Sequence, residues 1–164
     1  MLSTSRKGTL LETQNASGEC QVGETGFILG FAGLLPQVAA VASLALGVDR
    51  AIGHGFAFAY AGLIFSFVGG TWWGLAVRRP SRQGALLMVA VIPSLLVAGL
   101  MLAMVSAVLP LRLSLVILGG ALMLMLPVDR HLVDQDIAPP GWMTLRTPLS
   151  LGLGVLTLIA GVIA

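Results

Sequence analysis

Charge is scarce in this sequence: 10% of its 164 residues are Asp, Glu, Lys or Arg, against about 25% in a soluble domain. So few charged groups cannot cover a water-facing globule of this size. With 57% hydrophobic residues and a mean hydropathy of +0.97, the chain is expected to be an integral membrane protein. Its nine basic residues are spread thinly, without the stripe that neutralises a phosphate backbone, which excludes nucleic acid as a partner. A single cysteine, Cys20, rules out an internal disulfide or a zinc cluster. Residues 1–25 contain Arg6 and Lys7 but only Leu10-Leu11 as an apolar pair. They therefore lack the core of a cleavable signal peptide, and the first membrane helix is expected to do the targeting. The alternating ten-residue pattern of a membrane barrel is also missing, which leaves helices.

What the chain has in quantity is long charge-free runs. A bilayer core about 30 Å thick takes roughly 20 helical residues to cross, and the runs predict an all-α, polytopic bundle of five transmembrane helices. Their approximate bounds are 26–46, 55–77, 84–105, 111–128 and 148–164, after a disordered polar tail at 1–25. The fourth run is short, so Arg112 is expected to snorkel and extend it. The fifth is expected to start at Pro148, a residue suited to a first helical position. Pro36 and Pro93 fall inside spans one and three and predict kinks.

Orientation follows from the basic residues. Arg6, Lys7, Arg78, Arg79, Arg82, Arg130 and Arg146 fall on one side of the membrane, and Arg50 and Arg112 on the other. Seven against two predicts a cytoplasmic N-terminus.

Within the second span, Gly62, Ser66, Gly70 and Gly74 recur at intervals of four. Small residues at this spacing let membrane helices approach closely, so the stripe is expected to be the bundle's packing surface or a homodimer seam. Past it stand Trp72, Trp73, Arg78 and Arg79, and the loop after span four brings Asp129, Asp134, Asp136, Trp142 and Arg146 to the same side. Two readings of that polar end compete. In one, Arg78, Arg79 and Arg146, with Asp129, Trp72 and Trp142, hold an anionic lipid or a phosphate-bearing ligand. In the other, the arginines are a topology signal and Asp129 pairs with Arg146. No set of residues has catalytic spacing, because Asp134 and Asp136 lack a walled pocket to separate their roles. His54 and His131 lie at opposite ends of the bundle, about 30 Å apart, so they cannot share a haem or metal and are expected to face solvent or the interface. The methionine pairs Met101/Met104 and Met123/Met125 are likewise expected at different depths, as packing. No metal or cofactor is expected.

The stretch Gly33-Leu34-Leu35-Pro36, the run from Tyr60 to Gly74 (YAGLIFSFVGGTWWG), Pro93-Ser94, Asp129 and the segment Trp142 to Leu149 resemble the domain of unknown function 3429 family. Its animal members are called transmembrane protein 69. The resemblance covers roughly residues 28–164 and rests chiefly on the helix-two run. It implies a small multi-span protein of bacterial inner membranes, or of the mitochondrial inner membrane in eukaryotic relatives, and brings no activity with it. Relatives often carry a histidine before the tryptophan of that run, where this chain has Trp72.

Three functions fit these features. The leading one is a non-enzymatic accessory or assembly protein that binds lipid or a partner helix. The rival is a carrier or receptor for a small amphipathic or anionic molecule, which a midplane pocket at Pro36, Gln37 and Pro93 would favour. A lipid-modifying enzyme comes third. For topology, a reporter active only outside the cytoplasm is expected to give signal when fused at Ala164 and none at Gly84. The reverse pattern defeats the orientation.

Overall fold

A computed structural model of the chain describes residues 24–78 and 83–163. Its helices are α1 (Glu24–Ala32), α2 (Leu35–Ala45), α3 (Arg50–Val77), α4 (Gln83–Val105), α5 (Leu111–Leu124), α6 (Leu126–Asp134) and α7 (Trp142–Val162), with no strand among the described residues. α1 runs into α2, and α5 into α6. Five stretches are therefore long and apolar enough to cross a bilayer: Gly26–Ala45, Arg50–Val77, Gln83–Val105, Leu111–Asp134 and Trp142–Val162. Leu63, Phe67, Ile92, Leu95 and Leu102 stand exposed along them, a surface that hydrocarbon accommodates and water does not. Of the segment expected as a tail, residues 1–23 lie outside the described ones, while Glu24 and Thr25 begin α1.

Several boundaries differ from the sequence expectation, each for a local reason. α3 begins at Arg50, earlier than 55, because the Asp49 carboxylate accepts hydrogen bonds from the Ala51 and Ile52 amides at 2.9 and 3.2 Å, the N-cap arrangement. α7 begins at Trp142, so Pro148 lies inside it, after Gly141 turns the chain at φ 80°. Span four is not short. Met125 keeps right-handed helical geometry and Pro127 falls in the first turn of α6, where its missing N–H costs nothing, so the helix continues as a joint. Arg112 accordingly has no gap to span; its Nε and Nη2 donate to the Gly161 and Val162 carbonyls at 3.3 and 3.0 Å, satisfying the end of α7. Of the two kink prolines, Pro36 follows a real interruption at Gly33-Leu34, and the Tyr60 hydroxyl donates to the Gly33 carbonyl there. Pro93 stays within an unbroken α4. His54 is not solvent-facing but buried, with Nδ1 against the Arg50 carbonyl and Nε2 against that of Ile163. His131 is exposed.

α3 is the central element, packed along α4 and touching α2, α5 and α7, while α5 packs along α7. Its buried face carries Ala57, Ala61, Phe65, Val68, Trp72 and Ala76, whose mixed spacing of three and four follows the helical repeat. The expected stripe does not follow it. At about 100° per residue, each step of four drifts by about 40°, so a strict series leaves the packed face after a few turns. Gly62 is buried, Ser66 half-buried, and Gly70 and Gly74 exposed; an added Cβ at either of the last two meets nothing within 4 Å. Gly70 and Gly74 therefore are not packing positions within this chain. Gly69 is the point of contact, where a Cβ would stand 2.5 Å from the Ala90 carbonyl and 3.1 Å from Pro93. Gly119 and Gly154 give α5 and α7 a similar approach, each Cβ position lying about 3 Å from the other's carbonyl.

Gly69→Ala is expected to destabilise the bundle by about 1–3 kcal/mol through overpacking. Gly70→Ala should be neutral or stabilising by up to ~1 kcal/mol, since alanine is the better helix former. Thermal unfolding in detergent measures both, and equal tolerance at the two positions would contradict this register.

Candidate functional site

Two spans end, and the other three begin, on the same side of the bundle, and termini there enclose a carboxylate. Asp129, in the first turn of α6, has no exposed surface. A buried carboxylate needs donors, and three residues supply them. Trp72, one turn before the end of α3, and Trp142, at the start of α7, both donate an indole N–H to Oδ1, at 2.9 and 3.0 Å. Arg146 donates Nε–H to Oδ2 at 3.1 Å. Trp142 and Arg146 are four residues apart on α7, so they share a face, and the guanidinium carbon lies 5.6 Å from the Trp142 ring centroid, within cation–π range.

Arg146 is 8% exposed. The two indoles occupy Oδ1, the oxygen that the second arm of the guanidinium would take in a two-pronged pair, and Nη2 is left buried without a partner among the described residues. Arg146 also lines a groove of about 480 Å³ between the α1, α3 and α7 faces. Its walls are mostly apolar, with Gly26, Leu29, Gly30, Gly33 and Leu34 on one side, Ile64, Phe67 and Thr71 on another, and Leu145, Leu149 and Leu153 on the third, where Ser150 adds a hydroxyl one turn deeper than Arg146. The Thr71 hydroxyl is already donated to the Val68 carbonyl at 2.7 Å.

The fold thus brings together Trp72, Trp142, Asp129 and Arg146 and leaves Arg78 out. Arg78 is exposed at the end of α3 and forms no ion pair with a described residue; Arg79 lies outside the described residues. Asp134 and Asp136 are exposed, Asp134 facing Arg130 at 3.7 Å. Among the described residues no group of His, Cys, Asp or Glu could hold a metal ion. Pro36, Gln37 and Pro93 line none of three grooves of about 340–480 Å³ among the described residues. Gln37 is buried with Nε2 on the Thr157 hydroxyl at 3.1 Å, and Pro93 is packed on Gly69. The groove itself was missed by sequence reading because it depends on where α7 starts. Once the helix begins at Trp142, the residues Trp142, Arg146, Leu149 and Leu153 fall at intervals of four, three and four, one face of a helix.

A five-span α-helical bundle with a buried ionic cluster at one end defines the class: a polytopic membrane protein. More particularly, the chain belongs to the family described as "Protein of unknown function (DUF3429)", whose model matches residues 22–162. No curated protein and no solved structure matches it.

Asp129→Ala is expected to cost about 3–5 kcal/mol of stability, because it leaves the Arg146 cation buried and unpaired. Trp72→Phe keeps the ring and removes one charge-assisted donor, for a loss of about 1.5–3 kcal/mol. The double variant Asp129→Leu, Arg146→Met should be milder than Asp129→Ala alone. Denaturant titration in detergent orders the three, and a double variant worse than Asp129→Ala would show that the pair is not coupled as described.

Proposed function

We propose that this protein is a non-enzymatic membrane protein that binds a lipid-like amphipathic molecule in the groove between α1, α3 and α7, with its polar end on Arg146. The observation that carries this reading is the Arg146 guanidinium. It is withdrawn from water into the wall of a largely apolar groove, yet Asp129 engages only its Nε–H and the Nη2 group has no partner among the described residues. A concave apolar site with few polar groups at one end is the usual form of a small-molecule site, and an unmet buried donor costs about 1–3 kcal/mol until an acceptor reaches it. Binding is favoured over chemistry because both oxygens of Asp129 are engaged by donors. This reading places the groove in the cytoplasmic half of an inner membrane, as the distribution of basic residues supports.

Ile64 lines the groove away from the ionic cluster, so Ile64→Trp should fill it and leave the cluster intact. Native mass spectrometry after mild detergent extraction is expected to show lipid retained by the parent protein and reduced about tenfold or more in Ile64→Trp, at an unchanged unfolding midpoint. Equal retention in the two proteins rejects the groove as the binding site.

A further inference from the structure

Resting on this groove reading, we infer that the occupant is an acyl lipid of the leaflet on the Asp129 side, held by Arg146 through an ester carbonyl and not through a charged headgroup. Charge is the first reason. Arg146 and Asp129 neutralise each other at 3.1 Å, and the two tryptophans add donors but no charge. A phosphate or carboxylate entering this site would set a second anion beside Asp129 with one cation between them, in surroundings that screen poorly. An uncharged carbonyl oxygen supplies the acceptor that the guanidinium lacks and leaves the balance intact.

Depth is the second reason. The groove follows α7 from Trp142 to Leu153 and α3 from Thr71 back to Ile64, rises of about 16 and 11 Å. That is about half of a 30 Å hydrocarbon core, the reach of chains from one leaflet. The polar end lies about one turn below the start of α7, where Trp142 and the neighbouring exposed Trp73 stand at the level usual for interfacial aromatics. Glycerolipids carry their ester carbonyls at that boundary, with the phosphate farther out. Arg146 therefore meets the carbonyl of a lipid whose chain lies on Leu149, Leu153, Ile64 and Phe67.

The test is a competition on the full chain in detergent, with equal amounts of dioleoylglycerol, dioleoylphosphatidylglycerol and the diether analogue of dioleoylglycerol, read by native mass spectrometry. The two ester lipids are expected to be retained to a similar degree, and the diether about tenfold less, the loss of one charge-assisted hydrogen bond. In the Asp129→Leu, Arg146→Met double variant, which leaves no buried charge unpaired, the preference for ester over ether should vanish. Retention of phosphatidylglycerol about tenfold above dioleoylglycerol would overturn the inference in favour of a headgroup anion, and so would equal retention of ester and ether. In either case a loss of lipid in Ile64→Trp keeps the groove reading alive. Lipid retention unaffected by Ile64→Trp, or none at all in the parent protein, defeats that reading and the inference with it.

Discussion

A carboxylate with no exposed surface inside an apolar bundle is tolerable only if its oxygens are engaged, and Asp129 meets that demand with donors from two other helices. Trp72 comes from α3, Trp142 and Arg146 from α7, and all three converge on the first turn of α6. Each bond constrains one helix. The Trp72 bond sets the rotation of α3, because its indole reaches Asp129 only if Ala61, Phe65, Val68 and Ala76 also point inward. The Trp142 and Arg146 bonds set the start of α7, drawing six residues before Pro148 into the helix. The groove is a consequence, since its α3 and α7 walls are the residues that these rotations turn toward α1.

The opposite end of the bundle is held differently. There the side chains meet backbone groups: Arg112 reaches the Gly161 and Val162 carbonyls, His54 lies against those of Arg50 and Ile163, and Asp49 accepts from the first amides of α3. These groups satisfy helix termini that bilayer hydrocarbon would leave unpaired. Between the two ends, cohesion comes from close backbone approach at Gly69, Gly119 and Gly154, the means available where lipid removes the hydrophobic drive between helices. One end thus concentrates side-chain polarity in a buried cluster, and the other distributes it over helix caps.

A buried ion pair adds little net stability, since desolvation consumes most of the attraction, yet removing one partner is costly because the other charge is left buried and unpaired. Asp129 and Arg146 fit that description and add an asymmetry: the aspartate is fully engaged, and the arginine is not. An acceptor-seeking group at the polar end of an apolar groove differs chemically from the exposed cationic patch that the arginine-rich loops suggest. The exposed position of Arg78 and the burial of Arg146 separate two residues that their common sign had grouped together.

Five spans and the helical class were legible without coordinates, because hydropathy sums over a window and a charge-free run of about 20 residues has few stable alternatives in a bilayer. The association of Asp129 with Arg146 was also within reach, since a short connection returns the chain to the same end. The facing of α3 was not legible. Composition marked Gly62, Ser66, Gly70 and Gly74 as the seam, but a four-residue series drifts around the axis, and the rotation was decided by Trp72 meeting Asp129 and by Gly69 meeting Ala90. Nor could the sequence show that Pro148 lies within a helix and Pro127 at a joint, because a proline's effect depends on whether neighbouring groups support the turn before it. Local chemistry set the number of spans; contacts between residues far apart in the chain set the start of α7, the rotation of the helices and the depth of Arg146, and with them the groove.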